Sequence, residues 1–360
     1  MRMEVNVKNP SELTASERAA WREFQDADPV LSSPYFSLGF VDAVGAVRPD
    51  TRVLTMRRAG AVKAFLPLHA GVLRHARPLG GPLGDHHGLI CEPGAEIDLS
   101  ALLKAGGIGV FDFSGALASQ RAFHPHITMR DGSWVADLSA GYQAFVEERA
   151  RAEPKAFRNI RARRRKIEEA EGGFTFRIRD ERPHVLEAAM AWKSDQYRRT
   201  GHFDVFSVSW TRRLMQALTE PGEGNCAGLV SSLEIGGKLA AVHLGMRSRS
   251  VLHYWFPVYD PQFSKFGPGL ALLMEICSEL SRDGVSEVHL GPGEYDFKAQ
   301  LGAWQMPLCA GFAGSGPAAL VRRAAQRIEA GAEALPFGPV SRLPGKAFRR
   351  IDRMAGFHAA

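Results

Sequence analysis

The spacing of apolar residues divides the chain into segments of helical and of alternating period. Leu13 to Ala27 carries a helical stripe, with Ser11 or Thr14 placed to cap it. SSPYFSLGFVDAVGAV predicts a turn and then a helix at about 36–46. TRVLTMRR and VKAFLPLHAGVL alternate and meet at Ala59-Gly60, which predicts a hairpin. ARPLGGPLGDHHGLICEPG is dense in Gly and Pro and reads as loop, with a short strand at Gly88–Cys91. A helix near Leu99–Ala105, a strand in IGVFDFSGAL and another in WVADLS complete a first domain that ends near residue 140.

Tyr142 to Ala170 reads as helix, broken near Pro154. FTFRIRD is a strand, and Pro183–Gly201 and Trp210–Leu218 are helices. AGLVSSLEI, KLAAVHLGMR and SVLHYWFPV form an antiparallel meander, turning at Gly236-Gly237 and at Ser248-Arg249. The order then becomes strand (VLHYWFPV), loop (YDPQFSKFGPG), helix (LALLMEICSELSR) and strand (SEVHLG). From Ser315 onward the chain is rich in Ala, Arg, Pro and Gly, with helices expected at Ala318–Ala330 and Gly345–Met354. The expected organisation is an α/β (α+β) chain with domains at 1–140 and 141–315 and a helical tail at 316–360.

Composition narrows the class. Hydrophobic residues make up 45% and charged residues 23% of 360, as in a folded globular protein. No apolar run is long enough to cross a bilayer and the N-terminus lacks a signal core, so a cytoplasmic protein is expected. Cys91, Cys226, Cys277 and Cys309 lie far apart without metal-ligand spacing, which predicts thiols and no metal site. The net charge of +6 is concentrated: residues 155–166 (KAFRNIRARRRK) hold seven Lys or Arg and no acid. Such a run repels itself and favours an anionic partner, whether a diphosphate of a nucleotide- or lipid-linked saccharide, tRNA or anionic headgroups. A solvated helix surface is the plain alternative.

Three places carry candidate chemistry. The loop Tyr259–Gly269 precedes a helix whose first N–H groups could hold a phosphate, with Lys265, Phe266, Gly267 and Gly269 beside it. Without that function it is an ordinary strand-to-helix turn. GPGEYDFKAQLG sets Glu294, Tyr295, Asp296 and Lys298 beyond a strand end, where a carboxylate can take a proton and a phenol or ammonium can return one. His243 shares a strand face with Ala241 and Gly245, which suits a cleft histidine or a core one equally. Tyr254 stands among aromatics that suit packing. Asp85, His86 and His87 share a Gly-rich loop without a third metal ligand at sensible spacing, so substrate contact or a structural turn is expected.

These pieces, in this order from about Ser32 to Leu301, resemble the FemAB-like, CelD-type branch of the GNAT acyltransferases, associated with cellulose and exopolysaccharide biosynthesis. The resemblance rests on SSPYFSLGFVDAV, FLPLH, ARPLGGPLGDHHGLI, KAFRNIRARRRKIEEAEG, AAVHLGMRSRSVLHYWFPVYDPQFSKFGPGLALL and VHLGPGEYDFKAQLG. It implies two tandem GNAT-like domains, each a mixed, largely antiparallel sheet flanked by helices, with the donor site in the second. It further implies transfer of an acyl group from acetyl-CoA or another acyl-CoA to the amine of an amino sugar in an exopolysaccharide or envelope precursor. On that basis Glu294 is the expected general base, with His243 its rival, and Tyr254 or Tyr295 the expected acid. Lys265, Phe266, Gly267 and Gly269 are expected at the donor phosphates, and Asp85, His87, Arg158, Arg161 and Lys298 on the acceptor side. The phosphate loop departs from the family's usual glycine-rich signature at Phe266 and Pro268. The leading reading allows peripheral contact with an anionic membrane at its inner face; the alternatives are an aminoacyl-tRNA-dependent, FemX-like peptidoglycan transferase and a non-catalytic envelope assembly factor.

Overall fold

The computed structural model describes residues 3–220, 227–316, 319–320, 322–324 and 356–357. In chain order its elements are β1 (Met3–Lys8), α1 (Ala15–Ala27), α2 (Leu38–Val47), β2 (Thr51–Arg58), β3 (Ala61–Ala70), β4 (His75–Pro78), β5 (Ile90–Cys91), α3 (Leu99–Ala105), β6 (Val110–Leu117) and β7 (Ile127–Asp137). They continue with α4 (Tyr142–Ala152), α5 (Pro154–Glu168), β8 (Phe174–Arg177), α6 (Pro183–Arg199), α7 (Ser209–Thr219), β9 (Ala227–Ile235), β10 (Lys238–Arg247) and β11 (Val251–Tyr259). The last are α8 (Pro268–Arg282), β12 (Glu287–Pro292), α9 (Asp296–Leu301) and β13 (Trp304–Gly314).

Two compact units emerge, and neither is continuous in sequence. The first takes Met1–Leu31, Val44–Asp131 and Pro307–Ala360; the second takes Ser32–Ala43 and Gly132–Met306. The boundaries at 140 and 315 expected from sequence differ from this division. Local pattern does not reveal that β13 returns to pair with β6, nor that residues 32–43 join the later unit.

In the first unit the strands run β1-β2-β3-β4-β6-β13, with β5 on β3; only the β4–β6 pair is parallel. The β2–β3 hairpin turns at Ala59 (φ 49) and Gly60 (φ 80), as expected for a tight turn. Helix α1 is fixed by a capping box between Thr14 and Glu17. Its Trp21 packs on Phe65, ring centroids 4.9 Å apart. Glu17 itself is fully buried, bonded to Lys8 and Arg57.

In the second unit the order is β7-β12-β11-β10-β9-β8, with β11–β12 parallel and every other pair antiparallel. The predicted meander and the strand–loop–helix–strand unit both form. The α4–α5 break falls at Pro154. Helix α8 buries Leu272, Leu273, Ile276, Cys277 and Leu280 against Leu233, Ala241, Leu252 and Tyr254, with Phe145, Phe157 and Ile167 of α4 and α5 closing the cluster. Helix α6 packs on β9, β10 and β11, and α7 on β9.

Strands β1 and β13 and helix α9 have no counterpart in the sequence reading. Of the expected tail, residues 319–320 and 322–324 are helical. The helix expected at Gly345–Met354 and Cys226 lie outside the described residues. No helix among the described residues is long and apolar enough to cross a membrane.

Candidate functional site

Helix α8 begins at a turn built to expose it. Asp260 accepts from Gln262 N at 2.9 Å and opens a 3-10 turn, Pro261–Phe266. Gly267 then takes the left-handed conformation (φ 62, ψ 48), which swings the chain into the helix and favours glycine. Pro268 stands at the first helical position, where its missing N–H costs nothing. No side chain caps the helix. The amides of the first turn after Pro268 are thus left for another partner, at the positive end of a 15-residue helix.

The surroundings of that end are cationic. A Cβ placed on Gly267 would lie 2.7 Å from Cδ and Nη1 of Arg163, so the arginine lies directly against the glycine. One placed on Gly269 would meet only Tyr259, at 3.5 Å. Lys265 is exposed, its Nζ 4.9 Å from the Phe266 ring centroid. Phe266 itself packs onto the core, so the bulk that departs from a glycine-rich loop turns inward.

A groove of about 400 Å³ runs from Gly267 along α8 between α4 and α5. Its floor is apolar (Phe157, Ile160, Leu270, Met274) and Arg161 and Arg163 line it. Arg164 is engaged by Glu168 and Glu275. Arg161 and Arg163 have no carboxylate partner among the described residues. Arg158 is exposed on the same helix but does not line the groove.

The second feature is an opening in the sheet. β11 and β12 pair only at Val251–Glu287, Leu252–Val288 and His253–His289. Both strands then bulge: Tyr254 and Trp255 of β11 stand opposite Gly245 alone, and the β12–β7 register shifts between His289 and Gly291. A bulge bends its strand, so the two part beyond the last shared rung. Glu294 and Tyr295 follow the end of β12, both exposed, and Asp296 opens α9. Lys298 is buried and donates to Pro292 O at 2.6 Å. From α6, Lys193 donates to Pro257 O of β11 at 3.0 Å. Sequence reasoning missed both Lys193 and Arg163. AWKSDQYRR offers no signal for the former, and the latter is one cation among seven.

His243 and Tyr254 are enclosed. Their rings stack at 4.3 Å and 10°. Both nitrogens of His243 lack a hydrogen-bond partner, and burial, then His253, pushes its pKa down to about 3. It is a neutral core histidine lying over Gly245. A Cβ on that glycine would fall 2.4 Å from the ring. Tyr254 is fully buried, which raises its pKa, and its hydroxyl donates to Gly269 O at 3.4 Å. It ties β11 to the first turn of α8.

Asp85 and His87 belong to the first unit. Asp85 is half-buried. His87 sits in the core, its ring 5.5 Å from Phe111 and 6.5 Å from Phe123, and burial brings its pKa to about 3. That ring offers no surface to a substrate. The structure therefore gathers Lys265, Gly267 and Gly269 around the start of α8, and Arg161 lines the groove that runs from there. It gathers Glu294, Tyr295 and Lys298 at the end of β12, and none of these three lines the groove.

Residues 154–299, from α5 into α9, match the acetyltransferase (GNAT) domain family. No curated protein matches the chain by sequence. Among solved structures, one is the C-terminal domain of a protein from Agrobacterium fabrum described as a lysylphosphatidylglycerol synthetase, at 12% identity and a TM-score of 0.50. That likeness covers 87% of this chain and 96% of that one. A tandem GNAT protein from the clavulanic acid biosynthesis pathway matches at 13% identity and a TM-score of 0.48, over 88% of this chain and 99% of its own. FemX matches at 11% and 0.48, over 73% and 87%. The fold is α/β, with two units, each a mixed, largely antiparallel sheet with helices, and the segment that matches the GNAT domain family falls in the second unit.

Proposed function

We propose that the chain is a GNAT-type N-acyltransferase of the FemAB-like, CelD-type branch. It moves an acetyl or other acyl group from a coenzyme A thioester to the amine of an amino sugar in an exopolysaccharide or envelope precursor. The observation that carries this reading is the uncapped start of α8, turned by Gly267, flanked by Arg163 and Lys265, and followed by parted strands. Backbone amides at a helix start, with cations beside them, are complementary to a pyrophosphate. The acceptor class rests on the sequence resemblance alone.

A bound thioester would supply an activated carbonyl carbon. Gly269 and Leu270 would orient its phosphates through their amides, and Arg163 and Lys265 through charge. Glu294 takes the proton of the attacking amine as the N–C bond forms and the C–S bond breaks. Tyr295 returns a proton to the departing sulfur. Tyr254, held on Gly269 O, positions the first turn of α8 rather than moving a proton.

A second reading has an aminoacyl-tRNA donor. It is favoured by the exposed cations Lys155, Arg158, Arg161, Arg163, Arg165 and Lys166 of α5, which would equally lie on an anionic membrane face. Incubation with labelled acetyl-CoA and a panel of amino sugars, read by mass spectrometry, tests the first reading. Acetylated sugar is the expected product. Silence in that assay, together with no heat of acetyl-CoA binding, would reject it in favour of RNA or a non-catalytic assembly role.

A further inference from the structure

Helix α8 presents two faces. One is sealed into the core of the second unit; the other forms a wall of the groove that starts at Gly267. Gly267, Leu270, Met274, Ser278 and Arg282 recur along this wall at steps of three or four residues. The groove therefore follows the whole 15-residue helix, about 22 Å. Val146, Phe157 and Ile160 of α4 and α5 complete an apolar floor continuous with the core. Val146, Ile160, Leu270 and Ala271 are only half-buried there. Apolar surface left against water at the edge of a core gains from an apolar guest.

The charge of the groove is not balanced. Four arginines line it against two glutamates. Glu275 engages Arg164, and Glu279 lies 3.0 Å from Arg282. Arg161 and Arg163 remain without a carboxylate among the described residues, and Arg163 lies against Gly267, where the groove begins. The apolar floor thus meets an unneutralised guanidinium at one end. A guanidinium takes a phosphate through two parallel hydrogen bonds. A nucleobase suits the floor poorly, because Val146, Phe157, Ile160, Leu270, Ala271 and Met274 offer its ring nitrogens no side-chain partner. An alkyl chain asks for none.

We propose that the groove binds a single-chain lipid phosphate, with its phosphate on Arg163 and its chain along the floor beside α8. That binding stands apart from the acyl-transfer reading. One consequence rests on the reading: Arg163 there also serves the donor phosphates, so a lipid phosphate and acetyl-CoA exclude each other. The lipid then acts as an inhibitor competitive with the donor.

Hexyl, octyl and decyl phosphate are titrated into the full chain by calorimetry, each below its micelle concentration. Decyl maltoside and decyltrimethylammonium are the neutral and cationic controls. Each added methylene should tighten binding of the phosphates about fourfold until the groove is full. Decyl phosphate should bind about tenfold or more tighter than either control. Arg163→Gln should remove most of that preference for the anionic head. Ala271→Phe, which fills the floor, should flatten the chain-length series. Affinity independent of chain length, or equal for the three head groups, would overturn the site. The wild-type series decides this even if a variant fails to fold. Acetyl-CoA is titrated separately, with and without saturating decyl phosphate, and its binding should be lost or weakened when the lipid is present. Acetyl-CoA binding unaltered by the lipid would take the donor phosphates away from Arg163 and leave the groove's ligand in place. No acetyl-CoA binding in either titration would count against the acyl-transfer reading and leave the groove standing. A flat chain-length series beside normal acetyl-CoA affinity would sink the groove alone.

Discussion

Arg163 lies so close to Gly267 that a side chain added at the glycine would fall 2.7 Å from the arginine's Cδ and Nη1. A guanidinium therefore meets the positive end of α8, an arrangement that an anion would relieve. Arg163→Ala should weaken acetyl-CoA binding about tenfold to a hundredfold, the range of a lost charge-assisted hydrogen bond. Calorimetry at two salt concentrations checks it, and the variant should show the smaller salt dependence. Gly267→Ala should be worse, because its φ of +62 disfavours any side chain and the new methyl would displace the arginine.

Glu294→Gln removes a base but keeps the shape of an exposed loop. Turnover should fall by about a hundredfold or more while acetyl-CoA affinity and melting temperature stay near wild type. Unchanged kcat would take the proton-accepting role away from this carboxylate.

Gly245 has no room for a methyl group. Its Cβ would fall 2.4 Å from His243 Nε2 and 2.5 Å from the His253 carbonyl. Gly245→Ala should destabilise the fold by about 1–3 kcal/mol, as overpacking does. Urea midpoints would show it. Adding His243→Ala should recover part of the loss, because one of the two obstacles is then gone.

Acid should weaken the protein through two kinds of group. Burial raises the Glu17 carboxyl, but Lys8, the Thr14 amide and Arg57 outweigh it and hold the pKa at about 2 against 4.5 ordinarily. Its contribution, about 3 kcal/mol, is present above pH 4.5 and lost as pH falls toward 2. His87 and His243 are buried neutral, with pKa values near 3 against 6.5 ordinarily. Unfolding lets each bind a proton, so each subtracts about 1.4 kcal/mol per pH unit as pH falls from 6.5 toward 3. Unfolding free energies measured from pH 7 to 3 should fall throughout. In Glu17→Gln the part below pH 4.5 should be shallower and the neutral-pH stability lower. Equal slopes in the two proteins would count against the Glu17 bonds.

Much of the second unit was legible in the sequence because its signals are local. Pro154 ends a helix, Gly236-Gly237 closes a hairpin, and Gly267-Pro268 starts α8 where the apolar stripe begins. The division into units was not legible, since β13 and residues 32–43 are assigned by pairings distant in the chain. His87 and His243 read equally as site or core residues, because period places a side chain on a face without saying what covers that face. The bulge at Tyr254-Trp255 was invisible for a similar reason. It is a mismatch in count against Gly245, a neighbour on another strand. Lys193 looked like any solvated helix lysine until Pro257 supplied its partner.

A seam left open inside a sheet is a hazard, since bare strand edges recruit stray peptides. Pro257 and Pro292 remove an N–H from each lip of this one, and Lys193 and Lys298 occupy the carbonyls that remain at those two positions. An invading strand would find its ladder interrupted on both sides and two charges in its path. The two prolines and two lysines therefore leave this seam a poor template for an added strand.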